Sequence, residues 1–130
     1  MRFIPTKVHG VMDYLYAVVL LLIPNIFHFS SNDAATYVMD VVSSAVFTYS
    51  LFTKYELGLF KNIPMNIHVI LDLVFGVLLA ASPWLFGFAD DVYKPHLFFG
   101  LFAIAAALVS RVTSRQIEKS TYSQESSTPA

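Results

Sequence analysis

The sequence predicts an all-α fold: a four-helix transmembrane bundle built from two parallel two-helix repeats. Three observations predict it. Of the 130 residues, 56% are hydrophobic and 13% charged, whereas a soluble domain carries about 25% charged residues. A chain this short has too little interior to hide so much apolar surface from water. Apolar stretches near the ~20 residues needed to cross a bilayer occur four times, at 8–29, 34–53, 67–88 and 95–112. Finally, the first span recurs as the third.

Span 1 opens behind Pro5, which suits a first helical turn because its missing N–H is harmless there. Pro24 lies 19 residues further on, where a proline kinks or ends a helix and the freed carbonyls meet interfacial water. Reading span 1 as a signal peptide, with Arg2 and Lys7 as its basic region, calls for a small-x-small cleavage site. None is clear, the run holds His9 and Asp13, and the pattern returns at span 3. Span 2 is the least apolar, with Asp40, Ser43, Ser44, Thr48 and Ser50. Span 3 repeats span 1. Span 4 carries a seam of small residues, Gly100, Ala103, Ala107 and Ser110, suited to close packing within the chain or between subunits of a homo-oligomer. From Ser114 onward "SRQIEKSTYSQESSTPA" loses apolar periodicity. It reads as a helix end fraying into a disordered polar cytoplasmic tail. The transmembrane domain is placed at 1–113, with repeat one at 4–56, repeat two at 63–113 and the tail at 114–130.

The basic residues orient the spans. Arg2, Lys7, Lys54, Lys61, Arg111, Arg115 and Lys119 fall on one side, and Lys94 alone on the other. This asymmetry places both termini in the cytoplasm and both short acidic loops outside. Trp84, Tyr37 and Tyr93 then mark the outer interface, and Tyr49 and Tyr55 the inner one. The expected location is a membrane, crossed four times. The net charge of −1 and the lack of a basic stripe argue against a nucleic-acid partner. With no cysteine, disulfides, thiol catalysis, Fe–S clusters and cysteine-ligated zinc are excluded.

Sliding the chain by 59 residues lays "IPTKVHGVMDYLYAVVLLLIPNIFHF" (4–29) on "IPMNIHVILDLVFGVLLAASPWLFGF" (63–88) without a gap. Pro5/Pro64, His9/His68, Asp13/Asp72, Pro24/Pro83 and Phe29/Phe88 coincide in order. Leucines and valines match by chance in apolar helices; Pro, His, Asp and Pro in sequence do not. This is an internal repeat. Two spans per unit return the chain to the same side, so the repeats are parallel, related by an approximate twofold along the membrane normal. Gly87 permits the turn after span 3. His28 takes its place in the first copy, which reads as a diverged turn.

"SPWLFGF" after "LDLVFGVLLAA" resembles the signature of the SPW-repeat family of small bacterial integral membrane proteins. Ser82-Pro83-Trp84 carries the full tripeptide, and the first copy, Ile23-Pro24-Asn25, keeps only the proline. The resemblance covers both repeats, roughly 4–112. It implies a multi-span helical membrane protein and no established reaction.

His9 and Asp13 are spaced i, i+4 and share a helix face; His68 and Asp72 do the same. Ala17 and Gly76 continue that stripe with small residues, so the polar face is expected to meet protein, each copy facing the other across the pseudo-twofold. Asp13 lies ~12 Å along its helix from Pro5. An ionised Asp at mid-bilayer costs about 3 kcal/mol, so each Asp should be paired, hydrated or protonated. The simplest expectation is that each His donates to its own Asp one turn away, with Arg111 supplying charge. A proton- or ion-handling site made of the two pairs is a sharper reading. Metal or haem ligation by His9 and His68 is another. Asp40, Ser44 and Thr48 form a second polar stripe, read as hydroxyl-assisted helix packing or a wet path from outside. His28 and His96 are expected to be solvated.

Phosphate-cradling loops, H-E-x-x-H, G-x-S-x-G and dinucleotide fingerprints are absent from the sequence. The expectation is therefore a non-enzymatic integral membrane protein without cofactor, its partner the lipid bilayer, with a structural, assembly or stress-associated role. A proton or ion conductor and a haem- or metal-binding protein are the alternatives.

Overall fold

The computed structural model describes residues 6–54 and 57–127. Pro5, Tyr55 and the side chain of Arg111, given roles above, lie outside the described residues. Among the described residues four helices follow in chain order: α1 (Thr6–Ile26), α2 (Asp33–Leu51), α3 (Met65–Leu85) and α4 (Lys94–Ser127). Apart from one isolated bridge, Thr53 to Ile63, the described residues hold no β-structure. The helical bundle follows the sequence closely. Among the described residues, two helices are long and apolar enough to cross a membrane, Lys7–Ile26 and Met65–Leu85. The apolar part of α4, Lys94–Ser110, is shorter, and α2 is diluted by its serines, threonines and Asp40.

α4 departs from expectation at its end. It runs unbroken to Ser127, where a fraying tail was expected, and residues 119–127 are exposed. No Gly or Pro interrupts 114–127, and Arg, Gln, Glu and Lys are good helix formers.

The two proline turns share one geometry. Pro24 and Pro83 sit inside the last turns of α1 and α3. Phe29 N–H bonds to the Pro24 carbonyl at 2.9 Å, and Phe88 N–H to that of Pro83 at 2.8 Å. These are the long hydrogen bonds of a Schellman stop, which needs a left-handed residue just before the donor. His28 (φ 60°) and Gly87 (φ 76°) supply it. The turn has not diverged: His28 adopts the glycine conformation and accepts the steric strain of a Cβ there. Ser82 explains its place beside Pro83. Proline has no N–H for the Leu79 carbonyl four residues back, and Ser82 Oγ donates to that carbonyl at 2.7 Å. The first copy has Ile23 in this position and lacks such a hydroxyl.

Small residues let the helices close. A Cβ on Gly100 would lie 2.4 Å from the Ala80 backbone nitrogen, so α4 touches α3 backbone to backbone. Gly76 faces Ala103 and the Gly100 carbonyl, each 3.1 Å from where its Cβ would be. In the first hairpin Ser43 Oγ donates to the Ala17 carbonyl at 2.7 Å. The small-residue seam of α4 is thus spent inside the chain. The core is Leu20, Met39, Val42, Val46 and Leu79, with Phe29 and Phe88 at one end.

Equivalent residues of the two repeats meet along a central line. At one end Asn32 Nδ2 donates to Asp91 Oδ2 at 3.1 Å. At the other the rings of His9 and His68 lie edge to face, centroids 5.4 Å apart.

Candidate functional site

The helix period places His9 above Asp13 on α1 and His68 above Asp72 on α3, and both stripes turn inward to meet side chain to side chain across the bundle. All four side chains are buried. Both imidazole Nε2 atoms and both carboxylate Oδ2 atoms converge into one alternating four-membered ring. Its edges are His68–Asp13 at 2.8 Å, His9–Asp72 at 3.0 Å, His68–Asp72 at 3.3 Å and His9–Asp13 at 3.4 Å. The short edges cross between repeats. The expectation that each His serves its own Asp one turn away is corrected. An i, i+4 pair on one helix is held apart by the helix rise, whereas the facing helix brings its carboxylate end-on to the imidazole.

A second layer, which the sequence reading missed, fixes the ring. Thr53, one residue past the cap of α2, donates its single hydroxyl hydrogen to the Tyr49 carbonyl at 2.6 Å. Its oxygen therefore accepts from His68 Nδ1, 2.7 Å away, which makes Nδ1 the protonated nitrogen. The Nε2 of His68 then faces Asp13 across 2.8 Å. That bond holds a proton on one side or the other, as imidazolium with carboxylate or imidazole with carboxylic acid. Either way the pair carries one bridging proton and no net charge. His9 Nδ1 meets Ser110 Oγ at 2.9 Å, so each imidazole lies between a carboxylate and a hydroxyl. Tyr49, expected at the inner interface, is instead buried and donates to Asp72 Oδ1 at 2.6 Å.

The loop that joins the hairpins holds Thr53 in place. Leu59 and Phe60 N–H groups bond to the Leu51 carbonyl at 2.8 and 3.0 Å, and Asn62 and Ile63 N–H groups to that of Phe52, both at 2.7 Å. Tyr14 adds a bond to the Leu57 carbonyl at 2.9 Å. Beside the ring is a cavity of about 20 Å³, walled by Tyr16, Phe75 and Phe102 among others. That is the room of about one water. A porphyrin does not fit between His9 and His68, whose Nε2 atoms are already in contact with carboxylates.

The remaining candidates are elsewhere. Ser44 and Thr48 are exposed and Asp40 is half-buried. Thr48 Oγ1 bonds to the Ser44 carbonyl of its own helix at 2.7 Å. The second stripe therefore faces outward and does not glue helices within the chain. Trp84 is exposed and lies tilted beside Tyr93, centroids 5.7 Å apart. His28 is exposed, but His96, expected to be solvated, is fully buried. It lies between Phe29 and Phe88, at 5.4 and 4.8 Å, and its Nε2 bonds to the Ala35 carbonyl at 2.9 Å. Sequence held one signal for the missed hydroxyls: Thr53 and Ser110 both stand near the cytoplasmic end assigned to the second span of each repeat.

A family model described as the SPW repeat domain matches residues 7–110, which takes in both repeats and all four ring residues. No curated protein and no solved structure matches the chain.

Proposed function

The chain belongs to the SPW repeat domain family, and from that premise we propose a small multi-pass protein of the bacterial cytoplasmic membrane. Its termini are cytoplasmic and its role is structural, without catalysis. Support for the membrane comes from an inside-out distribution. Val11, Leu15, Val18 and Leu22 of α1, and Ile70, Val74 and Val77 of α3, are exposed, while His9, Asp13, His68 and Asp72 at similar heights are buried. Contiguous apolar surface of this kind suits lipid and is rare on soluble monomers. The basic residues at the hairpin-joining end, against the acidic loops at the other, support the orientation.

The observation that carries the structural reading is the crossing. Each imidazole takes both nitrogen partners from the opposite repeat: His9 from Asp72 and Ser110, His68 from Asp13 and Thr53. Lipid gives two hairpins no hydrophobic reason to associate, so packing and interhelical hydrogen bonds must hold them together. The crossed ring, with the Tyr16 hydroxyl of one hairpin donating to the Phe99 carbonyl of the other at 2.7 Å, does so. A proton or ion path through the same residues needs a polar route, and the space beside the ring takes about one water.

The test uses reconstituted protein. Asp13→Asn/Asp72→Asn should lower resistance to unfolding while liposome proton and cation flux stays at background in both proteins. Wild-type flux that disappears in the variant would replace the structural reading with conduction. Single cysteines at Ser31 and Asp90, in a chain with no native cysteine, should react with impermeant maleimide from outside intact cells, and one at Lys119 should not.

A further inference from the structure

We propose that the ring of His9, Asp13, His68 and Asp72 is a binding site for one divalent first-row transition metal ion, of the zinc, iron or manganese class. The inference rests on the crossed arrangement, but loss of the metal would leave that arrangement and its bracing role standing.

One ligand atom from each of the four residues lies within 4.8 Å of all the others. The four nitrogen–oxygen edges measure 2.8 to 3.4 Å. A tetrahedral ion with ligands at about 2.0–2.1 Å separates them by about 3.3–3.4 Å. To admit the ion the four edges open by up to a few tenths of an ångström, while the nitrogen–nitrogen and oxygen–oxygen diagonals, within 4.8 Å, close toward the same separation as the ring puckers. Nitrogen and oxygen alternate around it, so both imidazoles and both carboxylates can ligate at once.

The surroundings point the same way independently. Thr53 fixes His68 with its proton on Nδ1, which aims the Nε2 lone pair at the ring centre. A lone pair facing carboxylate oxygens needs a positive centre between them, a proton or a metal ion. An outer hydrogen bond from the far nitrogen is also what orients a metal-ligating histidine, and ligating carboxylates are similarly held. Tyr49 does this for Asp72 at 2.6 Å. Charge selects the valence: two carboxylates and two neutral imidazoles around a divalent ion sum to zero, which suits a low-dielectric surrounding. The donor set has no thiolate, as befits zinc, iron or manganese rather than a soft monovalent ion. Binding releases the bridging proton of the His68–Asp13 pair to solvent, and the hydrogen between His9 Nε2 and Asp72 also leaves as His9 Nδ1 takes one up, facing Ser110 Oγ, so that both Nε2 lone pairs reach the ion.

The test is Co²⁺ titration of the untagged full-length protein, stripped with EDTA, in nanodiscs. Expected are the visible d–d bands of a four-coordinate nitrogen/oxygen site, saturating at one ion per chain and displaced by Zn²⁺. Thr53→Val keeps all four ligands and should weaken Co²⁺ by roughly 10–100-fold, with far-UV circular dichroism unchanged. Asp13→Asn/Asp72→Asn should abolish the bands, and His28→Ala should leave them intact. Wild-type protein that remains helical yet gives no saturable spectrum would overturn the proposal. So would bands that persist in the Asp13→Asn/Asp72→Asn protein or vanish in His28→Ala.

Discussion

Crossed pairing makes a quantitative demand that can be measured with double-mutant cycles in the presence of EDTA. His68→Ala removes the 2.8 Å partner of Asp13, leaving that carboxylate with His9 at 3.4 Å, and takes the donor from Thr53. Breaking a buried pair by deleting one partner costs about 3–5 kcal/mol, and Asp13→Ala should cost a similar amount. The coupling within the cycle isolates the bond itself. A buried hydrogen bond to a charged group contributes about 1.5–3 kcal/mol, so His68/Asp13 and His9/Asp72 should each couple by about 2 kcal/mol. The same-repeat pairs, His9/Asp13 and His68/Asp72, are longer at 3.4 and 3.3 Å. They should couple below about 1 kcal/mol, since side-chain pairs one turn apart on a helix contribute about 0.2–0.5 kcal/mol. Reversible unfolding in SDS mixed micelles, followed by far-UV circular dichroism, gives each free energy. Same-repeat coupling equal to or above crossed coupling would refute the assignment of partners, and with it the bracing role.

Three further outcomes follow from local geometry. Gly100→Ala drives a methyl to 2.4 Å from the Ala80 nitrogen; backbone cannot yield as a side chain does, so about 1–3 kcal/mol of stability should be lost in the same micelle titration. Ser82→Ala strips the hydroxyl from the Leu79 carbonyl beside Pro83 and should cost about 1 kcal/mol, with a lower midpoint of thermal aggregation in detergent. His28→Gly should stabilise by roughly 0.5–1 kcal/mol, since it relieves a left-handed Cβ, while Gly87→Ala should destabilise by about as much. Nothing lies within 4 Å of a Cβ at Gly87, so the conformation alone decides its sign, and opposite signs at the two sites are the check.

The sequence alone determined the helices, the duplication and the four ionisable residues singled out on α1 and α3. Apolar runs, prolines and the 59-residue recurrence are local or periodic signals, and His9, Asp13, His68 and Asp72 stand out because ionisable groups in apolar helices are costly. Tertiary structure alone decided who pairs with whom. Residues four apart on one helix look like partners in sequence, yet the facing helix supplies the shorter contact. Thr53, Tyr49 and Ser110 reach the ring only because a loop fold and two helix packings bring them there. The same holds for His96, whose burial depends on Phe29 and Phe88 closing from opposite repeats. Polarity is written along the chain, but the direction a side chain faces is set by which helix lies against it, and that depends on contacts between residues far apart in sequence.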